Sequence, residues 1–468
     1  MVTILLLLLS LISADTLTLD ECIESALKHN IDVRIAQKKM ESKMANLDVI
    51  EKGCLPSFSL SFATPHYSTS RQEVYYPGSP LPVLYEEMKQ SISGSFQISQ
   101  ITPLGGRLQI TPIISRNVEE YNIYENRSIY NQNLFVTLSQ PIFGKNEHAL
   151  IRRTKQINLA TSIAELENTK RIVVNETADK YLSLFTQQEV LRGAEELKRI
   201  ADKLKELVKL RAKMGLVTEE EKLSSLAELM GYEAALIEKK KEYEDTRDAL
   251  IRLTGIKKEE FVLVEPKIEE EKYDEEELIR VALENNPYIY SLKLQKSIKR
   301  MEVKNARLNM LPSISINAYG SLIRKAKALI SGEEFRGRNL GLYVSLDIPI
   351  FDFGVKAAEL RSRSAELSRL NLEIEKEKTL IKDEVKSLLR DLELRKKRIE
   401  IFKLAKKAAQ KSFAMYKAKY EEGIADIDQV LSALKRYKDS EEFLLLEKGE
   451  YYKDLIKIRL LKGKSRLQ

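Results

Sequence analysis

Residue types that carry out catalysis or bind metals are few and scattered in this chain. His29, His66 and His148 are its only histidines, and they lie far apart in the sequence. No histidine and cysteine residues have the spacing of a metal site. The pair Gly105–Gly106 lacks the strand and helix context of a phosphate-binding loop. The sequence therefore favours a protein that is not an enzyme and that needs no cofactor.

The only two cysteines, Cys22 and Cys54, are not expected to form a disulfide bond. If residues 31–53 form one helix, a rise of about 1.5 Å per residue separates the two by about 35 Å. That distance is too great for a bridge. Both cysteines are interpreted as structural.

The composition suits long, well-solvated helices better than several compact cores. Of the 468 residues, 31% are charged and none is Trp, and the net charge of +7 is spread through mixtures of Lys and Glu. Binding of nucleic acid normally needs a basic patch with aromatic residues. No such patch is visible, so nucleic acid is not an expected partner.

Residues 1–14 have the pattern of a secretory signal peptide. It has an apolar run at Ile4–Leu9 and ends with the small residues Ser13–Ala14. No Lys or Arg precedes this run, which is unusual for such a signal. The run is shorter than the roughly 20 residues that a membrane-spanning helix needs. The rest of the sequence has no apolar stretch of that length. Export without a helical anchor leaves the periplasm, the exterior or the outer membrane as destinations.

The chain is an internal duplication. Leu55–Pro56 corresponds to Leu311–Pro312 at an offset of 256, whereas Gly215 corresponds to Gly423 at an offset of 208. The difference of 48 residues lies in strand-like sequence of the first half. The predicted segments are a signal peptide (1–14), a first repeat (15–260, strand insertion 56–143) and a second repeat (261–468, strand insertion 312–351).

Long helices are predicted after each strand insertion. Between Gly144 and Met214 there is no Pro and a single Gly, and apolar residues recur at the spacing of a packed helix. About 69 residues of helix extend about 100 Å, and residues 218–254 together with 287–311 return over a similar length. The pattern breaks at Gly215 and Gly423, as expected for left-handed helix caps. The seam residues are Leu197, Ala201, Leu204 and Val208 in the first repeat, and Ile399, Phe402, Ala405, Ala409, Phe413, Tyr416 and Tyr420 in the second.

Four segments alternate between apolar and small polar residues, which predicts strands with one apolar and one wet face. A membrane β-barrel with a water-filled lumen requires this pattern; a sheet packed on a soluble core is the alternative. Four strands per chain cannot close a barrel, and open edges are not tolerated in lipid, so the chain is expected to oligomerise. The apolar positions are Phe58, Leu60 and Phe62; Leu134, Val136 and Leu138; Ile314, Ile316 and Ala318; and the even-numbered residues from Leu340 to Ile350.

The additional 48 residues contain two further candidate strands, Ser91–Thr102 and Arg107–Ser115. The sequence leaves two arrangements open for this hairpin. It extends the barrel strands outward, or it covers the mouth of the barrel.

In its order of motifs, the chain resembles the TolC-type outer-membrane efflux proteins. The resemblance covers essentially the whole mature chain and rests on residues 17–22, 140–144, 211–217 and 420–424, with Leu-Pro before each first strand. It implies a mainly α fold in which duplicated long helical hairpins form an α-barrel tunnel. A β-barrel of twelve strands, completed by trimerisation, continues the tunnel. It also implies a homotrimer that docks to a periplasmic adaptor and an inner-membrane pump.

The resemblance also implies roles for residues near the two glycine turns. Gly215 and Leu216, together with Gly423 and Ile424, correspond to the tips that adaptors grip. Glu221 corresponds to an Asp that faces a Tyr, matched here by Tyr420, so the two residues are expected to form a closing latch.

Several gate positions depart from the family pattern. Ala425 stands where the family has a latch Arg, and Gln429 and Ser432 stand where it has two aspartates. Asp426 and Asp428 are candidates to replace this acidic ring; alternatively, they are solvated acids that the helix dipole favours at a helix start.

The resulting expectation is a passive exit duct of a tripartite efflux or type I secretion system. It would sit in the lipid of the outer membrane and extend into the periplasm. The alternative from another class is a periplasmic or surface coiled-coil scaffold that never perforates a membrane. The sequence does not identify the cargo or the pump class.

Overall fold

The computed structural model describes residues 16–75, 78, 80–121, 127–144, 146–257, 261–266, 273–327 and 334–462. The predicted signal peptide, residues 1–14, lies outside these described residues. The chain divides into two compact units, described separately here. Unit 1 comprises Met1–Met40, Ser162–Leu292 and Glu373–Gln468, and unit 2 comprises Glu41–Thr161 and Lys293–Leu372.

The described helices have nearly equal lengths in the two halves of the chain. The two longest have 67 residues each, and the helices that follow them have 36 and 35 residues. The predicted helices are therefore present with the predicted lengths. The helices are α1 (Leu19–His29), α2 (Ile31–Lys52), α3 (Glu147–Lys213), α4 (Glu219–Thr254), α5 (Glu275–Glu284), α6 (Pro287–Leu308), α7 (Val355–Glu421) and α8 (Ile427–Leu461).

Unit 2 contains one antiparallel sheet of six strands. The described strands are β1 (Thr16–Leu17), β2 (Ser57–Val74), β3 (Val83–Ile101), β4 (Arg107–Tyr121), β5 (Arg127–Phe143), β6 (Val262–Leu263), β7 (Ser313–Ala326) and β8 (Glu334–Asp347). The order of the strands in the sheet is β2-β3-β4-β5-β7-β8. A separate pair of short parallel strands, β1 and β6, belongs to unit 1.

The sheet of unit 2 has an apolar face and a polar face, as the alternation predicts. The strand registers align one row of apolar or small residues across all six strands: Phe58, Ile98, Ile110, Val136, Gly320 and Leu340. A neighbouring row on the opposite face is Ser57, Ser99, Gln109, Thr137, Tyr319 and Gly341.

Hydrogen bonds between side chains join the strands on the polar face. The Ser139 hydroxyl donates to Asn317 Oδ1 at 2.8 Å, and the hydroxyl oxygens of Ser315 and Ser345 are 2.6 Å apart. On the apolar face Leu342 and Val344 stay exposed. Because an exposed apolar row is costly in water, this face needs an apolar environment or a partner.

The described sheet contains the four strands that the alternation predicts and also the two candidate strands of the additional residues. The candidate segments, Ser91–Thr102 and Arg107–Ser115, lie within β3 and β4, which insert side by side between β2 and β5. The sequence left their place open because strand pairing depends on partners far apart in the chain. A smaller difference occurs at β8, which ends at Asp347 instead of including Ile348 and Ile350. Pro349 lies there and has no N–H for the strand ladder.

In the core of unit 1, the short strands β1 and β6 pack against the long helix α3. The buried Tyr181 hydroxyl lies 2.7 Å from the carbonyl oxygen of Val264 and 2.9 Å from that of Leu17. Cys22 is buried in the same cluster, and burial raises the pKa of its thiol to about 12. Cys54, in unit 2, lies with its Sγ 2.9 Å from His148 Nε2. Both cysteines are free thiols.

A partly buried ion network in unit 1 links three long helices. The Lys438 ammonium, on α8, donates to Glu441 at 2.9 Å and to Glu196 of α3 at 3.0 Å. The Lys406 ammonium, on α7, lies 2.7 Å from Glu441. Burial opposes the charge on Glu441, but hydrogen bonds from the two lysines hold the pKa of that carboxyl below its ordinary value. Glu441 is therefore the carboxylate that both lysines share.

Candidate functional site: the paired glycine turns

Two turns in unit 1 close the long helices in the same way. The first turn (214–218) joins α3 to α4, and the second turn (422–426) joins α7 to α8. Gly215 has a φ of +73° and Gly423 a φ of +82°, the left-handed region that glycine adopts without strain. In each turn the residue after the glycine donates its N–H to a carbonyl five residues earlier, at 3.0 Å and 2.8 Å. This pattern is a Schellman helix end.

The two turns contact each other through Arg211 and Tyr420. The guanidinium carbon of Arg211 lies 4.3 Å from the centre of the Tyr420 ring, in the position of a cation–π interaction. A Cβ atom added at Gly423 would lie 3.3 Å from Arg211 Nη2, so the second turn packs closely on the same guanidinium. Arg211 therefore joins the end of the first long helix to the end of the second.

Tyr420 is 1% exposed, and among the described residues its hydroxyl has no hydrogen-bond partner. Burial raises the pKa of this hydroxyl, although the charge of Arg211 opposes the rise. The ring packs in a cluster that also contains Val208 of α3, Phe413 of α7 and Leu431 of α8. This cluster includes the predicted seam residues Leu204 and Phe413, so these predicted core positions are confirmed.

Glu221 caps its own helix in this chain. Its carboxylate accepts hydrogen bonds from the Thr218 N–H at 2.9 Å and from the Thr218 hydroxyl at 2.8 Å, while its own N–H donates to that hydroxyl oxygen. These bonds form a capping box and hold the pKa of Glu221 below its ordinary value. The expected hydrogen bond between Glu221 and Tyr420 is not formed within the chain.

The remaining predicted gate residues lie on the surface of the second turn and the start of α8. Asp426 is the N-cap residue of α8, but its side chain makes no capping hydrogen bond. Asp428 and Gln429 follow in the first helical turn and are exposed. The predicted docking residues Leu216 and Ile424 are 64% and 71% exposed. Each turn therefore presents one exposed apolar side chain to solvent.

Arg211 is the functional candidate that the sequence reasoning did not single out. The sequence contains a pattern that points to this residue, namely a basic side chain at the same position of both repeats. The offset of 208 places Lys419 at the position equivalent to Arg211. Its ammonium lies 6.0 Å from the centre of the Tyr416 ring. Each long helix thus has a basic residue over an aromatic ring in its last turn, where a positive charge also favours the helix dipole.

Among the described residues, no group of three or more His, Cys, Asp or Glu side chains could hold a metal ion. None of the described helices combines the length and the apolar character needed to cross a membrane.

Comparison with solved structures shows the fold. The outer membrane protein VceC of Vibrio cholerae has a TM-score of 0.67 at 16% identity, covering 95% of this chain and 96% of its own. The Campylobacter jejuni CmeC outer membrane channel has a TM-score of 0.68 at 16% identity, covering 95% and 85%. The open state of the Neisseria gonorrhoeae MtrE channel gives 0.63 at 16% identity, covering 95% and 88%. The likeness confirms the predicted fold class, helices of an α-barrel tunnel with a β domain.

Comparison with protein families gives the identity of the chain at family level. No curated protein sequence matches it. The family described as "Outer membrane efflux protein" matches residues 22–256 and 278–464. Because these two segments make up most of the sequence and include both turns, the chain belongs to the outer membrane efflux protein family.

Proposed function

We propose that this chain forms a passive, homotrimeric exit duct in the outer membrane that extends into the periplasm. It docks to a periplasmic adaptor protein and, through it, to an inner-membrane pump that supplies the energy. The system is a tripartite efflux or type I secretion system. The duct itself needs no cofactor, since it carries out no reaction.

The observation that carries this proposal is the two-faced sheet of unit 2. Its exposed apolar face matches the hydrocarbon region of a bilayer, and its polar face matches a wet lumen. Among the described strands, β2 and β8 each pair on one side only. Lipid does not tolerate such open edges, so further copies of the sheet must cover them. Three copies are the number that the efflux family resemblance implies.

The paired turns supply the docking and gating surfaces in this proposal. Gly215 and Gly423 shape the turns, and the exposed Leu216 and Ile424 insert into an apolar groove of the adaptor. The gate is formed by Glu221, Tyr420, Asp426, Asp428 and Gln429, with Arg211 added from the geometry above.

A pair of neighbouring substitutions in β8 tests the duct. Leu342→Arg places a charge on the apolar face, where it costs about 2–4 kcal/mol in a bilayer. Tyr343→Arg places the same charge on the polar face. We expect Leu342→Arg to abolish trimers in outer-membrane fractions, whereas Tyr343→Arg assembles and conducts ions in planar bilayers. Equal tolerance of both, with the protein recovered as a soluble periplasmic species, would favour the coiled-coil scaffold instead.

Docking is tested separately at the turns. The double variant Leu216→Asp/Ile424→Asp removes both apolar points without changing either glycine. We expect it to assemble and conduct as the wild type does, but to lose co-purification with the adaptor after cross-linking in cells. Undiminished recovery of the adaptor would exclude these two residues from the interface.

A further inference from the structure

We propose that the β-barrel of this duct has eighteen strands, because the β3–β4 hairpin is part of its wall. This inference rests on the proposed function and deepens it, since it sets the width of the passage. The efflux family resemblance implies twelve strands, or four from each of three copies. Among the described residues the sheet has six strands, so three copies bring eighteen.

The hairpin is hydrogen-bonded into the sheet along nearly its whole length. The β2–β3 register runs from Ser57 opposite Ser99 to Val74 opposite Val83. On the other side of the hairpin, the β4–β5 register runs from Arg107 opposite Ser139 to Glu119 opposite Arg127. A hairpin that covered the mouth of a four-stranded wall would leave β2 to pair with β5. In this structure β2 and β5 are two strands apart.

The hairpin also continues both faces of the wall. Its Ile98 and Ile110 face each other in the apolar row, between Phe58 of β2 and Val136 of β5. Its Ser99 and Gln109 stand together in the polar row. A segment that lay in water outside the wall would not need this apolar row. The alternation therefore assigns β3 and β4 to the same lipid and lumen layers as the other strands.

The two open edges fit each other when a second copy of the chain is placed beside the first. Within one copy, the strand registers place Phe58 of β2 and Leu340 of β8 in the same row of the sheet. An eighteen-stranded barrel with a strand tilt of about 35–45° needs a total stagger of about 18 to 24 residues, or about six to eight per copy. Leu346 of one copy then lies opposite Phe58 or Leu60 of the next. A stagger in the other direction would bring Leu340 against residues 50–52, which are helical.

Eighteen strands make a wide passage. Barrel diameter grows roughly linearly with strand number, so eighteen strands give about 1.5 times the diameter of twelve. Barrels of 16–18 strands leave an aqueous channel in other membrane proteins. In the polar row next to Ile98 and Ile110, the lumen face presents neutral hydroxyl and amide groups, including Ser99, Gln109 and Thr137. Such groups hydrate the passage, and its width admits bulky hydrophilic solutes.

Spin labels on single cysteines test the place of the hairpin. Cys22 and Cys54 are first replaced by alanine, and each label's access to oxygen and to a water-soluble nickel complex is measured in the trimer in liposomes. Labels at Ile98 and Ile110 should be accessible to oxygen, as a label at Leu342 is. A label at Gln109 should be accessible to nickel.

The outcomes separate this inference from the proposed function. If labels at Ile98 and Ile110 are in water while the label at Leu342 is in lipid, the eighteen-stranded barrel is overturned and the duct remains. If the label at Leu342 is also in water, the proposed function fails as well.

A hairpin exchange measures the width directly. Residues 75–126 are replaced by the connection 327–333 of the second repeat. This change removes β3 and β4 and leaves β2 antiparallel to β5. In planar bilayers, polyethylene glycols of graded size are added from each side in turn. The largest polymer that enters the barrel of the wild type should have about 1.5 times the diameter of the largest that enters the variant. If the wild type and the variant exclude polymers of the same size, from either side of the bilayer, the inference is overturned. If the variant does not assemble, the spin labels decide.

Discussion

Loss of the Arg211 guanidinium should loosen the contact between the two glycine turns. In the proposed duct, opening at the turns requires the end of α3 to part from the end of α7. The contact that must break is the cation–π pair of Arg211 and Tyr420, at 4.3 Å. Arg211→Gln removes this interaction and keeps a polar side chain of similar length. We therefore expect Arg211→Gln to raise the fraction of time that the duct is open.

The size of the effect follows from the geometry. Arg211 is half-buried, so the pair contributes about 0.5–1 kcal/mol per copy. Three copies acting together change the free-energy difference between closed and open states by about 1.5–3 kcal/mol, or about 10- to 150-fold in the ratio of the two. Tyr420→Phe keeps the ring, and the lost hydroxyl has no partner among the described residues. It should change the ratio by less than about 2-fold.

The assay is single-channel recording in planar bilayers at fixed salt, and Lys419→Gln is the matched control. Lys419 occupies the equivalent position in the second repeat, but its ammonium is 6.0 Å from its ring, so it should matter less. One result would refute the reasoning: unchanged open probability in Arg211→Gln together with a marked rise in Tyr420→Phe. The hydroxyl, bound to Glu221 or to another subunit, would then hold the gate.

Three further predictions concern stability, docking and assembly. Glu441→Gln removes the negative charge that Lys438 and Lys406 share, and it should lower the free energy of unfolding by about 3 kcal/mol. Lys438→Met should lower it by less, about 1–2 kcal/mol. A larger loss in Lys438→Met than in Glu441→Gln, measured by thermal unfolding, would contradict the ion network. Because the folded pKa of Glu441 is lowered, its contribution is complete above the ordinary pKa and is lost as the pH falls through the folded value. Acid should thus destabilise the wild type more than Glu441→Gln. Gly423→Val should strain the second turn. It should weaken adaptor capture at temperatures where the variant is still folded. The double variant Phe58→Cys/Leu346→Cys should form disulfide bonds between copies and give linked trimers, whereas Phe58→Cys/Leu340→Cys should not. If only the second variant is linked, the stagger between β8 of one copy and β2 of the next differs from the one inferred.

The helices and turns could be predicted because their signals are local. A stretch of about 70 residues without Pro, with apolar residues at helical spacing, has few alternatives to one long helix. The glycines at 215 and 423 mark its ends, since a helix commonly closes with a left-handed residue. Both glycines have the positive φ that this reasoning requires. The packing of Leu204, Val208 and Phe413 follows from the same spacing.

The place of the β3–β4 hairpin could not be predicted, because strand pairing is not local. The alternation in β3 predicts a strand, yet it does not say which strand lies beside it. The register of β2 against β3 rests on contacts across a turn, and that of β5 against β7 spans more than 170 residues. Repeat counting places the additional residues between Pro56 and Pro141. It gave no information on whether they enter the sheet.

At the candidate gate, the missed interactions were visible as short motifs. Thr218 followed three residues later by Glu221 is a capping box, and this motif predicts the hydrogen bonds that the structure forms. The family resemblance instead implies a contact between Glu221 and Tyr420. It assigns no role to Arg211, although this residue belongs to the turn motif 211–217. Local hydrogen bonds within one helix start are favoured over contacts between helices because fewer residues must be ordered to form them.

The even number of inserted strands explains how the proposed barrel gains width while the helices of the chain stay the same. In an antiparallel sheet each strand reverses the direction of the last. One inserted strand would reverse the direction of β5 relative to β7. Two inserted strands restore the direction, so β5 still runs antiparallel to β7 and still leads into a 67-residue helix that matches its partner in the second repeat. The hairpin is therefore the smallest insertion that enlarges the sheet and keeps the direction of β5. For the same reason, the hairpin exchange should narrow the barrel and leave gating by Arg211 intact.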